Sequence, residues 1–152
     1  MEQGEHEAVV ARLAAIPARI ARAVAGWDAA RLAAAPGAGV WSAQAILAHL
    51  RAADDILAPR AYMVLTRENP PLAAYDERRW AEVAGYGQAD VRASLAVYTA
   101  RRAELVLALR RLAPGDWARA GIHEARGLVT LLELMRGLAE HEEEHAAQIE
   151  AL

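Results

Sequence analysis

Five histidines occur in the 152 residues, and two of them stand four positions apart in the run His141-Glu-Glu-Glu-His145. On an α-helix that spacing stacks both imidazoles on one face, about 5.4 Å apart along the axis, so both can reach one ion at roughly 2.0 to 2.1 Å. The flanking residues say which face. Leu131, Leu134, Leu138, His141, His145, Ile149 and Leu152 recur every three or four positions, a core-facing stripe that includes both histidines and leaves Glu140, Glu143 and Glu144 turned mostly elsewhere. Two ligands do not make a tight site. His49 is the best third, because it falls on another apolar stripe with Ile46, Ala53 and Ile56. A lone histidine on an apolar face is more often a satisfied core residue than a ligand. Three of them, buried without a shared partner, would leave several nitrogens to satisfy separately, whereas one divalent metal ion satisfies three at once.

Other residues are candidates for the surroundings of that site. His123, between Gly121 and Gly127, leads into the helix of His141 and His145; it either lines the site mouth, as a supporting or acid-base group, or is a solvated loop histidine. Glu142 lies between the two paired ligands and is a further candidate beside the ion. Trp41 precedes the helix of His49 and either packs beside the site, the favoured reading, or staples the helix start. His6 is expected to be exposed near the terminus. The run His141–His145 also matches the zincin pattern H-E-x-x-H and its inverse H-x-x-E-H. Neither match is specific when every intervening residue is glutamate. Little chain follows His145 to supply a downstream ligand, and no strand is expected beside this helix, so a metalloprotease ranks behind the other readings.

The elements that must position these residues are helices. Alanine, the best helix former, dominates the apolar content; aromatics are 5% and phenylalanine is absent. One domain over residues 1–152 is expected at this length. A first helix is predicted from about Glu5 to Ala25, with Val9, Leu13, Ile16, Ile20, Val24 and Trp27 on one face and a kink or restart at Pro17. Asp28 caps a short turn through Leu32, and residues 33–39 form a loop. Ser42 caps a second helix to about Glu68, which Asn69-Pro70-Pro71 stops. Tyr75-Asp-Glu-Arg-Arg-Trp80 reads as a short helix or ordered loop. Asp90 caps a third long helix to about Leu112. Gly121 to Gly127 reads as loop, and Thr130 with Glu133 has capping-box spacing at the start of the last helix. Four long helices joined by loops give an all-α four-helix bundle.

Composition excludes several functions. Cysteine is absent, which removes disulfides, thiolate ligands and a cysteine nucleophile. All 17 basic residues are arginine, and acids are interspersed to a net charge of -3. No basic face for nucleic acid is expected. No apolar run has the length of a membrane span, and the acidic N-terminus does not read as a secretory signal, so a cytoplasmic location is expected. Alanine-rich helix faces would permit a homodimer.

Two stretches carry a resemblance to a known family: Val40-Trp-Ser-Ala-Gln-Ala-Ile-Leu-Ala-His-Leu50, and Gly127-Leu-Val-Thr-Leu-Leu-Glu-Leu-Met-Arg-Gly-Leu-Ala-Glu-His-Glu-Glu-Glu-His-Ala-Ala-Gln-Ile149. A Trp-Ser helix start followed by a histidine, then a leucine-rich turn and H-x-x-x-H, is similar to the DinB/YfiT-like superfamily of small helical metalloproteins. The segment Tyr75–Trp80 resembles that family's middle region. The resemblance spans nearly the whole chain and implies a four-helix bundle with a long crossover connection and a metal, typically nickel or zinc, held by His49, His141 and His145. Some relatives transfer bacillithiol or mycothiol to electrophiles, some isomerise maleylpyruvate with a thiol cofactor, and others are called hydrolases.

Three histidines leave a coordination position open, which is the catalytic arrangement, whereas structural zinc is usually closed by four protein ligands. The expected chemistry is activation of a thiol or water for attack on a small-molecule substrate. A thiol would have to be a co-substrate, since the chain has no cysteine. The alternative is a non-catalytic metal- or ligand-binding bundle acting through a partner.

Overall fold

The apolar stripe Val9, Leu13, Ile16 and Ile20 is buried on helix α1, Glu2–Ala23. The structure is a computed structural model that describes residues 2–152; Met1, at the head of the acidic N-terminal stretch, lies outside the described residues. Asp28 caps the short α2, Ala29–Ala33, and Ser42 caps α3, Ala43–Thr66, each by accepting a backbone N–H three residues on. Asp76 and Asp90 do the same for α4, Glu77–Ala84, and α5, Val91–Leu109. The capping box of Thr130 and Glu133 opens α6, Leu131–Glu150. Such caps satisfy N–H groups that a helix start leaves unpaired.

Helix α1 passes through Pro17 without restarting, contrary to one of the two expected outcomes. The residues on either side explain it. Arg12 and Arg19 pair with Glu143 and Glu150 of α6 at 2.7 and 2.6 Å, and Ile16 and Ile20 are 2% and 0% exposed. Burying each large apolar side chain stabilises by about 1.5–3 kcal/mol, enough to offset the roughly 3 kcal/mol cost of an interior proline. A third pair, Arg136 with Glu5, completes a ladder in which every partner lies 131 positions away and successive pairs are seven residues apart. A constant offset means that α1 and α6 run parallel, with the seven-residue repeat of a coiled-coil seam.

The core shows how the four long helices are arranged. At one end, Val9 and Leu13 of α1 and Leu131 and Leu134 of α6 meet Val64 of α3 and Leu109 of α5. At the other, Ile20 and Ile149 meet Ile46 of α3 and Tyr98 of α5. So α3 and α5 are parallel to each other and antiparallel to α1 and α6. Helix α1 packs against both α6 and α5, and α6 against both α1 and α3, which leaves α1 opposite α3 and α5 opposite α6. Because α3 and α5 point the same way, residues 67–90 must travel back along the bundle. That is the long crossover expected from the family resemblance, and it carries α4.

The expected loop at Gly121–Gly127 is instead a hairpin. Strand β2, Ala120–His123, pairs antiparallel with β3, Gly127–Thr130, and parallel with the two-residue β1, Pro71–Leu72, at the foot of the crossover. Four-residue strands bounded by glycine are too short for alternation to stand out. The glycines have structural reasons. A Cβ at Gly121 would lie 2.8 Å from Leu72 Cδ1 and 3.0 Å from the Pro70 carbonyl, and Gly127 has φ of +74°. Among the described residues, no helix is long and apolar enough to cross a membrane.

Candidate metal centre

His49 sits in the second turn of α3, where its neighbours Ile46, Leu47, Ala48 and Leu50 are all buried, and it is 0% exposed. His141 and His145 lie in the second half of α6, with His145 9% exposed and His141 half-buried. Antiparallel packing of α3 on α6 brings the three rings together. The Nε2 atoms of His49 and His141 are 2.9 Å apart, those of His145 and His141 3.2 Å, and one nitrogen from each ring lies within 4.8 Å of the others. Nitrogens sharing one ion at about 2.1 Å in near-tetrahedral array lie roughly 3.4 Å apart, so the cluster is close to what an ion requires.

The hydrogen bonding agrees with that fit. His145 Nδ1 donates to Gln148 Oε1 at 2.9 Å, which fixes the proton on Nδ1 and leaves the Nε2 lone pair facing the cluster. His49 Nδ1 and His141 Nδ1 are buried with no hydrogen-bond partner among the described residues. With three Nε2 atoms facing one another, at most a shared proton could satisfy them without an ion. Burial, with the neighbouring His145 and His141, pushes the His49 pKa down to about 3; burial, with His145 and Arg102, pushes His141 to about 4. Both imidazoles are therefore neutral near pH 7, as metal ligands must be.

Around the triad, Trp41 packs as favoured, its ring 4.9 Å from His49 and 6.2 Å from His145. Tyr86, just after α4, comes within 6.2 Å of His49. A cleft of about 470 Å³ opens between the α2–α3 loop, α4 and the end of α6, lined by Val40, Trp41, Glu77, Arg78, His145 and Gln148. One carboxylate in it went unpredicted: Glu77 Oε2, on the crossover, lies 3.9 Å from His49 Nε2.

Glu142 faces away from the cleft. It is 1% exposed and pairs with Arg102 of α5, whose Nη2 also donates to Asp54 of α3 at 2.8 Å. One guanidinium thus ties together the helices that carry all three histidines, so Glu142 positions α6 instead of reaching the ion's side. Burial drives its pKa up to about 7 against the pull of Arg102. Neither Asp54 nor Arg102 could be singled out beforehand, because a charged residue mid-helix is normally solvated.

His123 ends β2, where its Nδ1 accepts the Ala125 N–H, and its nitrogens are not among those that gather with the triad. His6 is not simply exposed; its ring stacks on Trp117 at 4.7 Å. The sheet also bears on the zincin alternative. It adjoins the start of α6, about 15 Å along the helix from His141, and the third histidine comes from α3.

Known proteins agree with this architecture. A curated relative from Oceanobacillus iheyensis, "Putative metal-dependent hydrolase OB0782", is 29% identical over 114 residues, a match covering 75% of this chain and 66% of the relative, just under two thirds of its length. Among solved structures, YfiT from Bacillus subtilis, described as a probable metal-dependent hydrolase with an unusual four-helix bundle topology, superposes with a TM-score of 0.87 at 25% identity. That match covers 95% of this chain and 83% of YfiT. The mycothiol-dependent maleylpyruvate isomerase shares the fold at 18% identity, with a TM-score of 0.75 over 95% of this chain and 60% of that one. The family model of the DinB superfamily matches residues 12–149, and the chain belongs to that superfamily.

Proposed function

We propose that this chain is a metal-dependent enzyme in which His49, His141 and His145 hold one divalent ion, nickel or zinc, and activate a thiol or a water for attack on a small electrophile. The observation that carries the reading is the convergence of three imidazole Nε2 atoms beside an open cleft. The names of the Oceanobacillus relative and of YfiT, both metal-dependent hydrolases in their descriptions, support the metal and leave the nucleophile open.

When bound, the ion would supply Lewis acidity, lowering the pKa of a water or thiol toward neutrality. The chain's own residues supply the rest. Gln148 holds His145 in the tautomer that presents Nε2. The Arg102 ion pairs set the relative placement of α3 and α6. Trp41 and Val40 give the cleft an apolar wall against which the carbon part of a substrate can pack, limiting competing water.

Elemental analysis of the purified chain tests the metal. It should show near-stoichiometric metal that is lost in both His49→Ala and His145→Ala. Full retention in His49→Ala overturns the triad. Turnover of monochlorobimane with small thiols, or of simple esters without them, then distinguishes thiol transfer from hydrolysis. Metal without turnover of any such substrate favours a non-catalytic metal-binding bundle.

A further inference from the structure

Glu77 is placed by the crossover and not by the bundle. Asp76 caps α4, the Tyr75 ring meets Trp80 edge-on at 5.6 Å, and Gly85 in the left-handed region ends the helix, so the first turn of α4 is held over the cleft. There Glu77 Oε2 comes within 3.9 Å of His49 Nε2, the nitrogen that faces the triad. That separation is too long for a hydrogen bond. No other hydrogen bond or ion pair engages the Glu77 side chain among the described residues. Its oxygens also fall outside the compact group of nitrogens within 4.8 Å of one another, which argues against a fourth ligand. The carboxylate lines the same cleft as His145, on the side from which a ligand must enter.

A carboxylate accepts hydrogen bonds and has none to give. A ligand atom that enters this cleft with a proton can hydrogen-bond it to Glu77 and leave it on that carboxylate if the atom is deprotonated, whereas one without a proton meets the Glu77 charge with nothing to donate. We propose that Glu77 is a specificity-determining residue of this site, selecting ligands with a proton on the donor atom, such as water, alcohols and thiols, over aprotic anions. The inference rests on the metal reading above and narrows the class of nucleophile that the site takes. The side chain is 51% exposed, so solvent weakens its field and the discrimination is moderate, about tenfold.

The test uses the full chain loaded with cobalt(II), whose visible spectrum reports ligand entry without any turnover. At one fixed pH, wild type, Glu77→Gln and Glu77→Asp are titrated with azide, an aprotic anion, and with 2-mercaptoethanol. Glu77→Gln should bind azide about tenfold more tightly, with no matching gain for the thiol, and its cobalt spectrum before any ligand is added should stay that of the wild type. Glu77→Asp, which keeps the charge, should stay near wild type. An unchanged azide-to-thiol preference in Glu77→Gln overturns the inference alone. So does a changed cobalt spectrum in that variant before any ligand is added, which would make Glu77 a ligand. Failure of the wild type to take up cobalt overturns the metal reading and this inference with it.

Discussion

Two buried polar clusters sit side by side in this bundle, and consecutive residues of α6 belong to different ones. His141 faces His49 and His145; Glu142 faces Arg102 and Asp54. In the second cluster a buried guanidinium meets two carboxyl groups, although Asp54 Oδ2, Glu142 Oε2 and Arg102 Nε and Nη1 find no hydrogen-bond partner among the described residues and Arg102 also lines a groove of about 450 Å³ between α1 and α5. In the first, three imidazole rings turn their Nε2 atoms on one another at the edge of an open cleft. Burial alone therefore does not mark a reaction centre. Opposite charges pull their helices together, whereas lone pairs turned on one another need a cation between them.

The largest effect should come from breaking the ion-paired cluster. Replacing Arg102 by Met strands Asp54 and Glu142 without their cation, at a cost of about 3–5 kcal/mol, or a fall in Tm of roughly 10 °C. Thermal melts check it, and metal should still be taken up by the folded fraction at low temperature. Loss of metal with unchanged Tm would reverse the assigned roles of the two clusters.

Acid and base should then act on the clusters in opposite directions in the metal-free protein. His49 and His141 titrate at about 3 and 4 when folded and near 6.5 when unfolded. Between those values the unfolded chain binds more protons, so their contribution to stability falls as pH drops below about 6.5. Glu142 is raised from 4.5 to about 7, so the folded state binds the extra proton and its contribution falls as pH rises through that window. Denaturant unfolding between pH 4 and 8 should show the rising-pH loss disappear in Glu142→Gln while the acid-side loss persists.

A smaller effect is expected where the open cluster is braced. Gln148→Leu removes the acceptor for His145 Nδ1 and should weaken metal binding about 10- to 100-fold, measured by competition with a chelator, with little change in metal-free Tm. The smallest should be Arg12→Ala at the half-exposed α1–α6 ladder, under about 1 kcal/mol in denaturant unfolding.

Much of this was legible in the sequence because it is local. The i, i+4 spacing of His141 and His145, the apolar stripe around His49, and the caps at Ser42, Asp90 and Thr130 depend on residues within a turn or two of one another. Helical periodicity registers such relations directly. The tertiary structure alone decided the rest. Pro17 is tolerated because Ile16 and Ile20 beside it are buried against helices distant in the chain, and β2 exists because Gly121 lets Leu72 approach. Glu142 is buried because α5 offers Arg102. Glu77 comes to stand over His49 because parallel α3 and α5 force a crossover past it. A periodic pattern says which face of a helix turns inward. What that face meets depends on contacts between segments far apart in the chain, and no local spacing encodes them.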